Sequence, residues 1–421
     1  MLGERSVQSR IRVCCSASLV FIKLSKVRLH SSAFAIFLVF FFESSVLGQW
    51  IPRIPDIKAS LSLSDGGLGL ALLALPLGTL LGFSVVGRII ERMGLRTACR
   101  VFLPAWALLF IGPAFAQTFW QLFIALSVCG IAVGMIETAM NTEAARIERD
   151  SGTRLMSRCH GFWSLGTMFG ALMGGALAQW GVPVTQHFSV AMVLIALCGY
   201  FSATALPTLA KDSRVKSKHE VKEVPQEDGT VEPSTLFRWP ARSIVLLCIM
   251  PVGIMMVEGA FIDWSAVFMR DIMSAEPLLI GITYAAFSLI MATVRLFGDS
   301  LAVRFGDLNI VRVSGIASTA GIALFALAPS IPWAFAGAAL SGAGVAIVFP
   351  LAVTAAANRP GRSSADNVAA LNMLSFSAFL IAPPIIGFVS EFQGLRVALL
   401  MLVPVALMTV LLAKEVMPHK I

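Results

Sequence analysis

Charge is what this sequence has least of. Asp, Glu, Lys and Arg together make up 13% of its 421 residues, about half the share usual in soluble domains. A water-soluble fold of this length needs far more polar surface. The shortage excludes a soluble enzyme, a nucleic-acid-binding domain and a disordered chain. Catalytic and nucleotide motifs are also missing: there is no HExxH, no GxxxxGK[ST] and no GxSxG. No enzyme activity, metal, cofactor or ATP-driven pumping is therefore expected of this chain. Cysteines are few and unpatterned. Cys14, Cys15, Cys99, Cys129, Cys159, Cys198 and Cys248 form no CxxC pair, so they read as small apolar fillers rather than a disulfide framework.

What is present is hydrophobic. Apolar residues make up 57% of the chain and mean hydropathy is +0.83. The apolar runs are long and continuous, as bilayer-spanning helices of about 20 residues require. They lack the alternation of barrel strands of about ten residues. Twelve spans are expected, at 33–51, 67–87, 98–116, 119–142, 160–180, 186–206, 243–263, 278–297, 310–329, 332–354, 367–389 and 395–413. The fold class is an all-α membrane protein. The net charge of +8 comes from basic residues in the gaps between spans. Counted by alternate sides, Arg53, Lys58, Arg270 and Arg396 fall on one side and Arg295 inside a span. The rest of the 32 Lys and Arg fall on the side of the two ends. Excess Lys and Arg marks the cytoplasmic side, so both termini are expected in the cytoplasm. The bilayer replaces nucleic acid as the expected surroundings.

Residues 1–32 form a basic stretch around an apolar piece, 17–24, that is too short to span. A surface helix, a loose tail and a mis-set start codon all fit it. Residues 207–242 are charged and without apolar period, which reads as a flexible cytoplasmic linker. It separates a six-span bundle (33–206) from a second (243–413), followed by a short tail (414–421). The halves carry a faint repeat. Gly69 and Gly281, Gly94 and Gly306, and Gly175 and Gly387 share one offset of 212 residues. Glu43 and Glu258 are each followed by a tryptophan, Trp50 and Trp264.

Two six-span halves joined by a cytoplasmic linker resemble the major facilitator superfamily. After the second span, GRIIERMGLRTACR (87–100) resembles its loop signature Gly-x-Leu-x-Asp-Arg-x-Gly-Arg-Lys, with Glu91 in the Asp position. The resemblance implies a latch built from Gly87, Glu91, Arg92, Gly94 and Arg96. The second copy, GDSLAVRFG (298–306), is degraded, with Val303 where an acid would stand. Five further segments occur in order: IETAMNTEAARIE (136–148), RLMSRCHGFWSLG (154–166), VEGAFIDWSAVFMRD (257–271), ITYAAFSL (282–289) and APPIIGF (382–388). Together they resemble a bacterial branch similar to the rhizopine-uptake permease and, more distantly, the fucose:proton symporters. The resemblance covers roughly residues 30–413 and implies a multi-pass transporter of the bacterial inner membrane, working as a monomer.

Ionisable groups inside spans are costly and mark function by default. Glu43 lies mid-span, where a proton site, a substrate site and a carboxyl bonded to Ser44 are the competing readings. Glu137 and Asn141 lie four residues apart on one helix face, a pair suited to a polyol or amino-sugar hydroxyl. In the fucose symporters, acidic residues in the first and fourth spans are the proton and sugar positions, and Glu43 and Glu137 match them by span. His160 can titrate near neutral pH and Trp163 can stack on a sugar ring. Interfacial anchoring competes for both. Asn372 lies at the same offset of 212 from His160, which suggests a lining role. Glu258 lies deep in the seventh span, while Asp263 and Trp264 read as interface residues. Arg295 and Asp299, at i and i+4, read as a local ion pair. Gly166, Gly170, Gly174 and Gly175 read as helix packing, and Pro350, Pro383 and Pro384 as helix bends.

The proton-coupling candidates are thus Glu43, Glu137, His160 and Glu258. The substrate candidates are Glu137, Asn141, His160, Trp163 and Asn372. The expected function is proton-coupled uptake of a small polyhydroxylated solute by alternating access. Proton-coupled efflux of a hydrophobic compound and a transport-dead sensor are the alternatives, with a membrane-embedded enzyme last.

Overall fold

A computed structural model describes residues 32–207, 244–359 and 364–417, except the side chains of Asp299 and Ala365. The expected tail 1–32 and linker 207–242 therefore lie almost wholly outside the described residues. Eleven helices among them are long and apolar enough to cross a bilayer. They are α1 (Ser32–Ser60), α2 (Asp65–Met93), α3 (Leu95–Phe115), α4 (Phe119–Ser151), α5 (Met156–Gln179), α6 (Val184–Thr204), α7 (Val245–Ile272), α8 (Pro277–Gly298), α9 (Asp307–Ala326), α10 (Ile331–Ala357) and α11 (Asp366–Gln393). A shorter apolar helix, α12 (Leu395–Leu411), follows. At 1.5 Å per residue it spans about 25 Å, and a 3-10 turn, Ala413–Val416, extends it. All twelve expected spans are present.

Local chemistry sets the helix ends. Ser64 accepts from the Gly67 amide at 3.1 Å, and Thr118 accepts from the Gln121 amide at 3.3 Å. Gly94 and Gly306, the repeat-related pair, end α2 and the extended α8 with φ of +81° and +79°, a conformation that residues with a Cβ avoid.

The chain alternates between two ends of the bundle. The tail end holds residues 32, 207, 244 and 417, and the far end holds the connections 61–64 and 273–276. Trp120, Trp180, Trp333 and Phe392 stand exposed at far-end helix termini, as aromatics do at a membrane boundary.

The six helices before residue 208 meet the six after 243 mainly along two lines, α5 on α8 and α2 on α11, with the end of α1 also touching α7 and α8. Both crossings are made by glycine. A Cβ at Gly175 (α5) would fall 3.0 Å from Gly281 Cα (α8), and one at Gly387 (α11) would fall 3.1 Å from Gly69 Cα (α2). The offset of 212 residues carries one contact onto the other. The sequence repeat is thus a repeat of backbone approach. Toward the tail end the α2 face opens, and a Cβ at Gly87 would meet nothing within 4 Å.

Charges close the far end. Arg270 Nη1 lies 3.1 Å from Asp56 Oδ1, and Lys58 Nζ lies 2.8 Å from Asp271 and 2.5 Å from Asp65. Glu391 Oε2 accepts from Ser64 Oγ and the Gly66 amide, both at 2.8 Å. Asp56, Lys58, Ser64 and Gly66 belong to the first six helices, Arg270, Asp271 and Glu391 to the last six. The tail-end pairs Arg146–Glu143 and Arg359–Glu415 each stay within one set.

Candidate functional site: two carboxyls and a guanidinium where the helix sets meet

Glu43 is 2% exposed. Its Oε2 accepts from the Trp163 indole nitrogen at 2.9 Å, and its backbone carbonyl accepts from the Trp106 indole at 3.1 Å. Ser44 Oγ bonds instead to the Phe41 carbonyl, so the side-chain partner of Glu43 is Trp163. Small residues allow α1 to come this close to α5: Gly48 meets the Thr167 and Gly170 backbone, and Gly166 meets Phe41 and Ser44.

Glu137 on α4 lies within electrostatic reach of Glu43. Asn141 Nδ2 donates to Glu137 Oε2 and to its carbonyl, both at 2.9 Å, so the i, i+4 pair is a bonded one. Glu137, Asn141, His160 and Trp163 are all half-buried. Side chains of α1, α4 and α5 therefore meet at the two carboxyls, and α3 reaches the Glu43 backbone through Trp106.

Opposite them, Arg295 projects from α8. Its Nη2 lies 3.2 Å from Glu258 Oε1 on α7, its Nη1 donates to Ser164 Oγ on α5 at 3.1 Å, and its Nε reaches the Ala346 carbonyl on α10 at 3.4 Å. His160 lies within electrostatic reach of this guanidinium, and its ring meets Phe40 edge-on at 5.6 Å. Glu258 is thus an acid bound to Arg295, a partner the sequence reading did not name, and the Asp299 side chain of the expected local pair lies outside the described residues.

The Ala346 carbonyl has a sequence cause. Pro350, four residues on, has no N–H to bond it. The helix breaks between Ile331–Val345 and Val348–Ala357, and the freed carbonyl turns to Arg295. The bend expected at Pro350 thus also supplies an acceptor. Thr167 and Ser288 share a 2.6 Å hydroxyl contact beside it, and Ser288 donates to the Ser164 carbonyl at 2.7 Å. These bonds cross from one helix set to the other at the level of the carboxyls.

The remaining expected residues are placed differently. Asn372 is half-buried and its Oδ1 has no hydrogen-bond partner among the described residues, so nothing bonds it to His160 or Glu137. Trp264 is fully buried, which corrects its reading as an interface residue. Asp263 has no ion-pair or hydrogen-bond partner among the described residues. In the loop signature, Gly94 turns the chain and Arg96 donates to the Thr204 carbonyl of α6. Glu91 and Arg92 are exposed with no partner among the described residues, and Gly87 faces open space. An apolar groove of about 400 Å³ between α8, α9 and α10, lined by Val294, Phe305, Val313 and Ile347, is a separate feature.

This architecture has known counterparts. The family model of the Major Facilitator Superfamily matches residues 32–383. The chain belongs to that superfamily, whose members are transporters rather than enzymes, and it is a multi-pass membrane protein. It is 30% identical to the uncharacterized transporter y4wD of Sinorhizobium fredii, over 85% of this chain and 90% of that one. It is 27% identical to membrane protein MosC of Rhizobium meliloti, over 87% of this chain and 85% of that one. Among solved structures, the nucleoside transporter NupG matches with a TM-score of 0.67 at 12% identity, covering 92% of this chain and 99% of that one. At that identity the likeness concerns fold alone.

Proposed function

We propose that the chain is a proton-coupled transporter of a small polyhydroxylated solute, with Glu43 and Glu137 as its proton-handling groups. The observation that carries the reading is the pair itself. Two carboxyls stand within electrostatic reach of each other inside spans, held by neutral donors, the Trp163 indole and the Asn141 amide. Two such groups do not ionise independently at close range, so one proton shared between them relieves a buried charge. Solute binding beside Trp163 and Asn141 then presents hydroxyls to amide and carboxyl, and an aromatic face to a sugar-like ring. Neutralised, the carrier passes between a state closed at the far end and one closed at the tail end.

The excess of Lys and Arg supports a cytoplasmic tail end and a cell-membrane location. The closed far end then corresponds to an outward-closed conformation. The bonded pair Glu258–Arg295 carries no net charge, which supports a neutral solute over an obligate anion. Loading at the far end and release at the tail end corresponds to uptake by a monomer. The test is proton movement into proteoliposomes, read with a pH-sensitive dye against a panel of sugars, inositols and amino-sugars. External alkalinisation with one compound establishes symport. Silence across the panel, with flux of hydrophobic cations or toxins instead, overturns the solute class in favour of efflux.

A further inference from the structure

A second polar cluster lies apart from the carboxyl pair, toward the far end. Its centre is His187 on α6, 2% exposed. Arg53 Nε, on α1, donates to His187 Nδ1 at 3.2 Å, and His187 Nε2 meets Gln49 Oε1, also on α1, at 2.7 Å. An arginine can only donate, so Nδ1 must be the acceptor and the ring proton must sit on Nε2, donating to Gln49. The geometry thus fits one neutral tautomer.

Arg53 is 4% exposed, and each of its three nitrogens has a partner. Its Nη2 donates to the Val182 carbonyl at 2.7 Å and its Nη1 to Asp56 Oδ2 at 2.9 Å. The other oxygen of Asp56 binds Arg270 of α7 at 3.1 Å. One continuous chain, Gln49–His187–Arg53–Asp56–Arg270, therefore runs from a buried imidazole to the clamp between the two helix sets. Around the ring, α6 packs on α3 and its turn Gly112–Phe115 and touches α5, while α1 reaches the ring through Gln49 and Arg53. The ring also meets Phe188 edge-on at 5.0 Å. The charged group acting on the ring among the described residues is Arg53, with Asp56 beyond it.

We propose that His187 is a positioning residue through which protons act on far-end closure: neutral His187 holds Arg53 in the clamp, and protonated His187 releases it. Protonation puts a hydrogen on Nδ1 facing the Arg53 Nε–H, donor against donor and cation against cation, with no acid on the ring side to compensate. The guanidinium must leave toward water. Its way out passes Asp56, which is 37% exposed and already bound to Arg270. Asp56 already holds Arg53 on one oxygen and Arg270 on the other, so a guanidinium driven off the ring draws this carboxylate away from Arg270, and the link between the sets weakens. The sign follows. The closed far end binds the neutral ring, so a state with Arg53 displaced takes up the proton more readily. Lowering the pH therefore shifts the population toward far-end opening.

The inference rests on alternating access alone and not on the proton-coupled reading above, and its test uses no solute, so the two can fail separately. Spin labels on Ser60→Cys and Leu278→Cys, with Cys14, Cys15 and Cys198 replaced by serine, report the far-end separation in lipid nanodiscs. The expected result is a longer distance population that grows on acidification in the parent protein. His187→Gln, neutral at every pH, is expected to lose that response and stay closed. His187→Lys is expected to show the longer population at neutral pH already. A parent distance unmoved by pH, or an unchanged pH response in His187→Gln, overturns the proposal. A merely structural His187 would lower thermal stability on substitution and leave the pH response in place.

Discussion

The Trp163 indole nitrogen donates to Glu43 Oε2 at 2.9 Å across the α1–α5 contact. The bond joins a residue suited to stacking on a sugar ring to one suited to carrying a proton. A solute that displaces or tilts the indole therefore acts directly on the carboxyl.

That relationship makes Trp163→Phe informative. The ring face survives and the donor is lost, leaving a buried carboxyl without its side-chain partner, at a cost of about 1–3 kcal/mol. Thermal unfolding in detergent is expected to record this loss. Glu43→Gln, which keeps an acceptor for the indole, is expected to unfold near the parent temperature. Equal destabilisation by both variants would remove the hydrogen bond from the account.

The Arg295–Glu258 pair predicts a sign rule. Removing one partner, as in Arg295→Met or Glu258→Met, strands the other charge among helices and is expected to cost about 3–5 kcal/mol. The double variant Arg295→Met with Glu258→Met is expected to recover most of that loss, because no uncompensated charge remains. A double-mutant cycle on unfolding checks it. Additive losses would mean that the two side chains act independently.

Gly175 and Gly281 predict a steric effect. Gly175→Val puts branched carbon where even a Cβ would stand 3.0 Å from Gly281 Cα, well inside van der Waals contact. Forcing the helices apart is expected to cost about 1–3 kcal/mol. Gly87→Val, at a position with open space, is expected to leave stability in this conformation within about 0.5 kcal/mol. Comparable thermal shifts for the two would contradict the difference in helix approach.

The far-end clamp predicts a population shift. Lys58 joins Asp65 and Asp271, and partly exposed pairs contribute up to about 1 kcal/mol each. Lys58→Met is expected to raise far-end opening by about fivefold. The far-end spin-label pair described above reads this directly, and an unchanged distribution would show that the remaining contacts suffice.

The spans were legible because a bilayer helix must be long and continuously apolar, and no tertiary detail alters that. Glu43, Glu137 and Asn141 were legible because intramembrane polar residues stand out, and because i, i+4 spacing fixes a shared face. The Arg295–Glu258 pair was not. Its members are 37 residues apart on different helices, and Asp299 offered a nearer acid one turn away. The use of the Ala346 carbonyl follows from Pro350, but which side chain claims it depends on how α8 meets α10. Arg53 entered the sequence reading only as a charge for orientation, and His187 carried no motif to single it out. Only the packing of α6 on α1 turns them into a buried chain.

The most direct test of the central claim separates exchange from proton-driven accumulation. Once a transported solute is found, parent protein, Glu43→Gln and Glu137→Gln are compared in proteoliposomes for solute exchange at equal pH and for accumulation driven by a pH gradient. The account predicts that the glutamine variants lose gradient-driven accumulation, and that at least one keeps exchange, since a permanently neutral side chain allows the carrier to reorient loaded. Undiminished gradient-driven accumulation in both variants would contradict it and move the proton elsewhere in the protein.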